Sequence, residues 1–279
     1  MSLQSVSAIR WWQPRSGPAS RNPPVSNCKI ICWLPGHTPI SQSMGLDVYV
    51  GSLTRYYSGD WETVVARAAR EQGMGFEVIR SNPDPPDKII DPAVISQAVD
   101  AWRNSLETGL GSALPGGLSW DERAQADYFT DKPDWVGYAG LVLLAAHTAL
   151  PEYPRPKRAT AHFDRDAAYQ SLAAQEFRCR FFQIFGVEVW LPCSFPFTFI
   201  AADPTGSEIQ FGSSVTLLEQ LRQLNTETYG ADAETLARWK FDGAGPEDPF
   251  EESAQFGLAN FLHHAQLSVE HQLPMKLDY

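Results

Sequence analysis

The chain has 279 residues, of which 43% are hydrophobic, 20% charged and 12% aromatic. That is ordinary globular usage and excludes disordered, collagen-like and low-complexity classes. A formal charge of −11, from 22 Lys+Arg against 33 Asp+Glu, argues against nucleic acid or an anionic membrane as a partner held by bulk electrostatics.

No apolar run reaches the roughly 18 residues that a membrane-spanning helix needs. Four cysteines do not make a disulfide scaffold. Residues 1–43 hold Arg10, Arg15, Arg21 and Lys29 but no acid, which leaves −15 on residues 44–279. Six prolines also fall in this stretch, and its only apolar run, Ile30 to Leu34, is short. A secretory signal needs a continuous apolar stretch, and Arg10 to Pro14 interrupts one. The expectation is a non-globular N-terminal extension over 1–43, a working start at Met44 and a single α+β domain over 44–279. Cys28 and Cys32 have no second pair at zinc-site spacing, so no metal is expected there.

From residue 45 to 53 the alternation predicts a strand, with Leu46, Val48 and Val50 on one face and Asp47 and Tyr49 on the other. Asp60 is the expected N-cap of the next helix, because its carboxylate accepts from free backbone N–H groups. Trp61, Val64, Val65 and Ala68 follow at helical spacing, and Gly73 ends the helix. Phe76 to Arg80 suits a strand, and the prolines of 81–87 a stiff loop. Asp91-Pro92 opens a helix that runs through Trp102. Residues 135–150 are apolar all round, which predicts a helix in the centre of a core.

The second half predicts strands at 178–185, 187–191, 197–202 and 208–211, read together as an antiparallel meander. Asp203-Pro204-Thr205-Gly206 is the turn between the last two, with Gly206 at the positive-φ position. Ser213 or Ser214 caps a helix carrying Leu217, Leu218, Leu221 and Leu224. Helices at 231–240 and 249–272 complete the chain. Mixed helices and short strands without regular βαβ alternation predict an α+β fold, an antiparallel sheet packed with several helices around a single core.

The motifs of P-loop NTPases, dinucleotide-binding folds, zinc peptidases and α/β-hydrolases are absent. Three residues stand as catalytic candidates. His147 lies in the apolar helix, where a buried imidazole must find a partner. It is read either as a general base or as a core histidine bonded to a carbonyl. Glu188 alternates with Val187 and Val189 and shares a face with Trp190. It is either an acid–base group with a raised pKa or a solvated side chain. Asp60 is the third, beside the cap role already described.

His264 and His271 lie seven residues apart on the last helix, roughly 10 Å along its axis, which is too far to chelate one ion. They are expected as rim histidines. His162 stands near Asp164 and Asp166 in a loop. Tyr56, Tyr57 and Trp61 surround Asp60, and aromatic rings beside a carboxylate suit a sugar, a cation or a protein contact. With Trp190 they are the candidate binding residues, weighed against plain core packing. Cys179 and Cys193 are expected as a reduced, buried pair.

The opening Met44-Gly45-Leu46-Asp47-Val48-Tyr49-Val50, then Tyr56-Tyr57-Ser58-Gly59-Asp60-Trp61, resembles the start of a family of uncharacterised bacterial proteins. The closing Leu273-Pro274-Met275-Lys276-Leu277-Asp278-Tyr279 is similar to that family as well. The resemblance spans 44–279, supports Met44 as the start, and implies no activity or catalytic residue.

The functional expectation is a cytoplasmic, non-enzymatic acidic binding protein of immunity or regulatory type. Its expected partner is a basic protein, and no cofactor, nucleic acid or membrane is expected. The alternative is a small metal-independent hydrolase that uses His147, Glu188 and Asp60 in one pocket.

Overall fold

The computed structural model describes residues 29–33, 40–43, 45–79, 91–114, 116–123 and 125–279. In chain order the elements are β1 (Lys29–Trp33), β2 (Ile40–Ser43), β3 (Asp47–Val50), α1 (Leu53–Ser58), α2 (Val64–Glu71), β4 (Gly75–Ile79), α3 (Pro92–Leu110) and β5 (Phe129–Asp131). There follow α4 (Asp134–Ala149), α5 (Ala167–Ala174), β6 (Val189–Leu191), β7 (Phe199–Ala202), β8 (Glu208–Ser213), α6 (Ser214–Thr228), α7 (Ala233–Asp242), α8 (Phe250–His271) and β9 (Met275–Asp278). The fold is α+β. Two strands, β1 and β2, fall within the extension expected over 1–43. They pair antiparallel with β4 in the order β2-β1-β4. Met44 and the proline loop of 81–87 lie outside the described residues.

The larger sheet is open and six-stranded, in the order β5-β3-β9-β6-β8-β7. It is mixed, which corrects the expected antiparallel meander. β7 and β8 do form a hairpin, and the Asp203 turn closes it, with the Gly206 N–H donating to the Asp203 carbonyl at 2.9 Å. But β8, not β7, lies against β6, so the chain returns beside β6 in the same direction. The Ser213 and Ser214 hydroxyls fix this placement by donating to the Cys193 and Leu191 carbonyls, at 2.6 and 3.1 Å.

Register assigns the two faces. Tyr49, Lys276, Val189, Phe211 and Phe199 are successive cross-strand partners and form one row. Val50, Met275, Trp190 and Gly212 form the neighbouring row on the opposite face. The buried apolar side chains divide accordingly, so the expected single core is two clusters with the sheet between them. One cluster joins Val48, Val50, Met275 and Trp190 to α4, α6 and α8. The other joins Val189, Phe199 and Phe211 to Leu53 of α1 and to Val99 and Trp102 of α3.

The predicted central helix is α4, in which every residue from Gly137 to His147 is buried. It packs on α8 with the backbones nearly touching. A Cβ at Gly140 would stand 2.5 Å from the Ser253 carbonyl oxygen, and one at Gly257 would enter the Gly137 carbonyl.

Three local expectations change. The strand from 45 stops at Val50, because Ser52 caps α1 by accepting from the Arg55 N–H. Gly59, at φ 71°, ends that helix, and Thr63 rather than Asp60 caps α2. The stretch 178–185 is turn and 3₁₀ structure instead of a strand. Its buried Gln183 replaces ladder bonds with side-chain bonds. Its Oε1 accepts from the Ser213 N–H, its Nε2 donates to the Phe197 carbonyl, and its backbone N–H donates to Gln220 Oε1.

Candidate functional site

The feature with most chemistry lies where α1 covers the β3–β9 part of the sheet. In a helix, adjacent residues point about 100° apart, so both Tyr56 and Tyr57 reach the sheet. Tyr56 OH donates to Asp278 Oδ1 at 2.5 Å, and Tyr57 OH donates to Asp203 Oδ2 at 2.9 Å. A third pair matches them, with Tyr279 OH donating to Glu188 Oε2 at 2.7 Å. Burial first, then the carboxylates they serve, raises all three phenols far above their ordinary range, so they remain donors. Trp61 stacks on Tyr56, with centroids 5.5 Å apart and planes at 19°, and meets Tyr49 at 5.1 Å.

Lys276 sits among these groups and is 8% exposed. Its Nζ lies 4.9 Å from the Tyr56 ring centroid. Burial pulls its pKa down, and Asp278, Glu188 and Asp203 oppose the shift. Asp47 is the cross-strand partner of Asp278 and is 6% exposed. One of its oxygens, Oδ1, is buried without a hydrogen bond. Burial pushes its pKa up to about 7; Lys132 opposes this, and Asp278, Asp134 and Asp131 add to it.

The candidates from the sequence are thus partly gathered. Tyr56, Tyr57, Trp61 and Glu188 belong to this neighbourhood. Asp60 stands at its edge, with a 63% exposed side chain paired to Arg55 at 3.2 Å. Trp190 is fully buried on the other face, and its indole N–H donates to the Gln183 carbonyl at 3.0 Å.

His147 has other partners altogether. Its Nδ1 lies 3.2 Å from the Tyr153 carbonyl and its Nε2 3.2 Å from Asp166 Oδ2. Asp166 also caps α5 through Oδ1, which accepts from Ala168 and Tyr169. This is the core-histidine arrangement, and no hydrogen bond or ion pair among the described residues joins His147 to Glu188 or Asp60. Asp166→Ala removes a cap and a partner of a buried ring at once. The expected cost is about 2 kcal/mol, read by urea unfolding; an unchanged midpoint would contradict these roles.

The last-helix histidines also differ from expectation. His264 is buried rather than on the rim, with Nδ1 2.8 Å from the Asn260 carbonyl and its pKa lowered by burial to about 4. His271 packs on Phe129 at 4.7 Å. Cys179 and Cys193 are free thiols, half-buried rather than buried as expected.

Lys276 and Asp278 were missed as site residues. The alternation Met275-Lys276-Leu277-Asp278 is a strand signature that would have placed both side chains on one face. No helix among the described residues is long and apolar enough to cross a membrane. No protein-family model matches the chain, and neither the search of curated proteins nor that of solved structures finds a match.

Proposed function

We propose that the chain is a binding protein for a basic protein partner, which it receives at the junction of α1 and α2. The observation that carries this reading is the grouping of the 63% exposed Asp60 with the stacked rings of Tyr56 and Trp61, in a chain of charge −11. A cationic side chain gains from both an aromatic face and a carboxylate. A strongly acidic surface also speeds encounter with a basic partner.

The edge strand β5 links this junction to a second exposed feature on its opposite face. On one side of β5, the Thr130 hydroxyl donates to the Glu62 carbonyl, next to Trp61. On its other side, Asp131 pairs with Lys240 at 2.5 Å, next to Phe241. Phe241 is 90% exposed and offers an apolar anchor on the opposite face of the edge strand from the acidic junction. The hydrolase alternative needs His147, Glu188 and Asp60 in one pocket, and their separate partners give it no support.

The test begins with capture of partners by the full chain at low salt, followed by association kinetics on each partner identified. Binding is expected to slow as salt rises. Asp60→Lys and Phe241→Ser, both at exposed side chains, are each expected to weaken it about tenfold. Salt-independent association, unaffected by either substitution, would overturn the reading.

A further inference from the structure

Residues 150–166 join α4 to α5 with one 3₁₀ turn, Phe163–Arg165, as their only regular structure. Connections longer than roughly 12–15 residues are uncommon in compact domains and usually serve a function. This one carries Arg155-Pro156-Lys157-Arg158, three cations in four residues of a chain whose charge is −11. Arg155, Lys157, Arg158 and Thr160 are exposed, while Ala159 is buried in the cluster that includes α4. Two ion pairs hold the guanidinium groups. Arg155 meets Glu251 at 2.8 Å and Arg158 meets Glu247 at 2.5 Å, the Glu247 side chain being 83% exposed. Pairs so open to water stabilise little, so a partner that offers carboxylates of its own exchanges them easily. One backbone bond, from the Phe250 N–H to the Lys157 carbonyl at 2.9 Å, pins the segment to the start of α8. Exposed loops held this lightly are where proteases cut folded chains.

We propose that the Arg158–Ala159 bond is a processing site for a serine endoprotease that reads Lys-Arg directly before the bond and a further arginine in the fourth position before it. The spacing selects the class. In the extended conformation that a protease cleft imposes, Arg158 and Lys157 fill the two subsites next to the cut and Arg155 reaches a third. Acidic subsites then take over the guanidinium groups from Glu247 and Glu251. An Arg-x-x-Arg spacing occurs once more, at Arg67 and Arg70. There it lies within α2, with Arg70 forked on Glu62, and a helix does not enter a cleft that binds extended backbone. The fold therefore presents one of the two and withholds the other. In the reaction the enzyme's serine oxygen attacks the Arg158 carbonyl carbon, the serine proton passes through the enzyme's base to the Ala159 nitrogen, and the C–N bond breaks. Water then releases the acyl group, leaving a carboxylate on Arg158 and an amine on Ala159. The halves stay joined after the cut, since α4 remains packed on α8 and His147 remains paired with Asp166 across the break. The loop shares no residue with the partner surface proposed above, and either can fail alone.

The experiment treats the full chain with furin, a protease of this class, and follows the Arg158–Ala159 bond by mass spectrometry. A synthetic peptide of residues 150–162 is the unfolded standard. The folded chain is expected to be cut after Arg158. Arg155→Ala, at an exposed side chain, should slow furin at this bond about tenfold or more. It should leave unchanged the rate of trypsin, which needs only Arg158. A folded chain that keeps this bond while furin cuts the peptide would overturn the proposal. So would equal furin rates in the parent and in Arg155→Ala.

Discussion

Gly257→Ala is expected to lower the melting temperature by about 6–12 °C. The new methyl group would enter the carbonyl of Gly137 on α4, and Leu141 Cβ stands 3.2 Å away on the same helix. Rotation of a side chain cannot relieve a clash with backbone, so α4 and α8 must separate. That loosens the cluster formed by Leu141, Leu144, Leu258 and Phe261. Overpacking costs typically 1–3 kcal/mol and more where the atom met is backbone that cannot turn aside, so about 4 kcal/mol is expected here. Alanine returns about 1 kcal/mol of helix propensity, and the net loss is about 3 kcal/mol. For a chain of this size each kcal/mol moves the midpoint by roughly 2–4 °C. Thermal unfolding followed by circular dichroism measures it, and a midpoint equal to or above that of the parent would show that the helices are not in backbone contact.

Asp47→Asn should act in the opposite direction, and only above a certain pH. Burial holds the folded-state pKa at about 7, against an ordinary value of 3.8. Between those values the unfolded chain has released the proton and the folded chain still holds it. The contribution of Asp47 is therefore most favourable below pH 4 and is lost as the pH rises towards 7. The full loss is on the order of 4 kcal/mol. Asparagine abolishes it, but leaves amide groups to be matched in the same buried position, at a cost of about 1–3 kcal/mol. The variant should be about 2 kcal/mol more stable than the parent at pH 8 and no more stable at pH 4. Urea unfolding at the two pH values distinguishes this from a general packing effect, which would shift both equally.

The parts of the fold that were legible are those governed by local chemistry. The apolar run of 135–150 became α4, the Asp91-Pro92 pair opened α3, and Ser213 capped α6. Asp47 and Tyr49 share a strand face as the alternation required, but neither face of β3 meets solvent, because helices cover the sheet on both sides. What escaped depends on partners distant in sequence. Nothing in residues 187–213 says that β8 slips in beside β6, since strand order is decided by what the flanking helices cover. The aromatic run at 181–185 reads as a strand until Gln183 is known to satisfy the groups that a ladder would have used.

The same division holds for the site. Tyr56, Tyr57, Trp61 and Glu188 are legible in the sequence because aromatics and lone carboxylates stand out in a short window. Their partners do not. Tyr56 meets Asp278 across 222 residues, and Tyr57 meets Asp203 across 146. Asp203 was read only as a turn residue, which it also is, since its other oxygen, Oδ1, accepts from the Thr205 and Ser207 N–H groups. The apolar helix predicts a buried His147, but its partner Asp166 stands 19 residues on and, in the sequence, nearer to His162.

The position of β9 has a consequence for how the molecule is made. The strand synthesised last among the described elements is an inner strand of the larger sheet, with β3 on one side and β6 on the other. Until residue 278 has left the ribosome, β5-β3 and β6-β8-β7 are two separate ribbons, each with an unpaired inner edge. Such edges invite pairing with other chains, and the long-range closure that removes them is slow. A nascent chain of this protein therefore remains open along the middle of its sheet until β9 has emerged, and a product that stops short of β9 lacks the strand that joins its two halves.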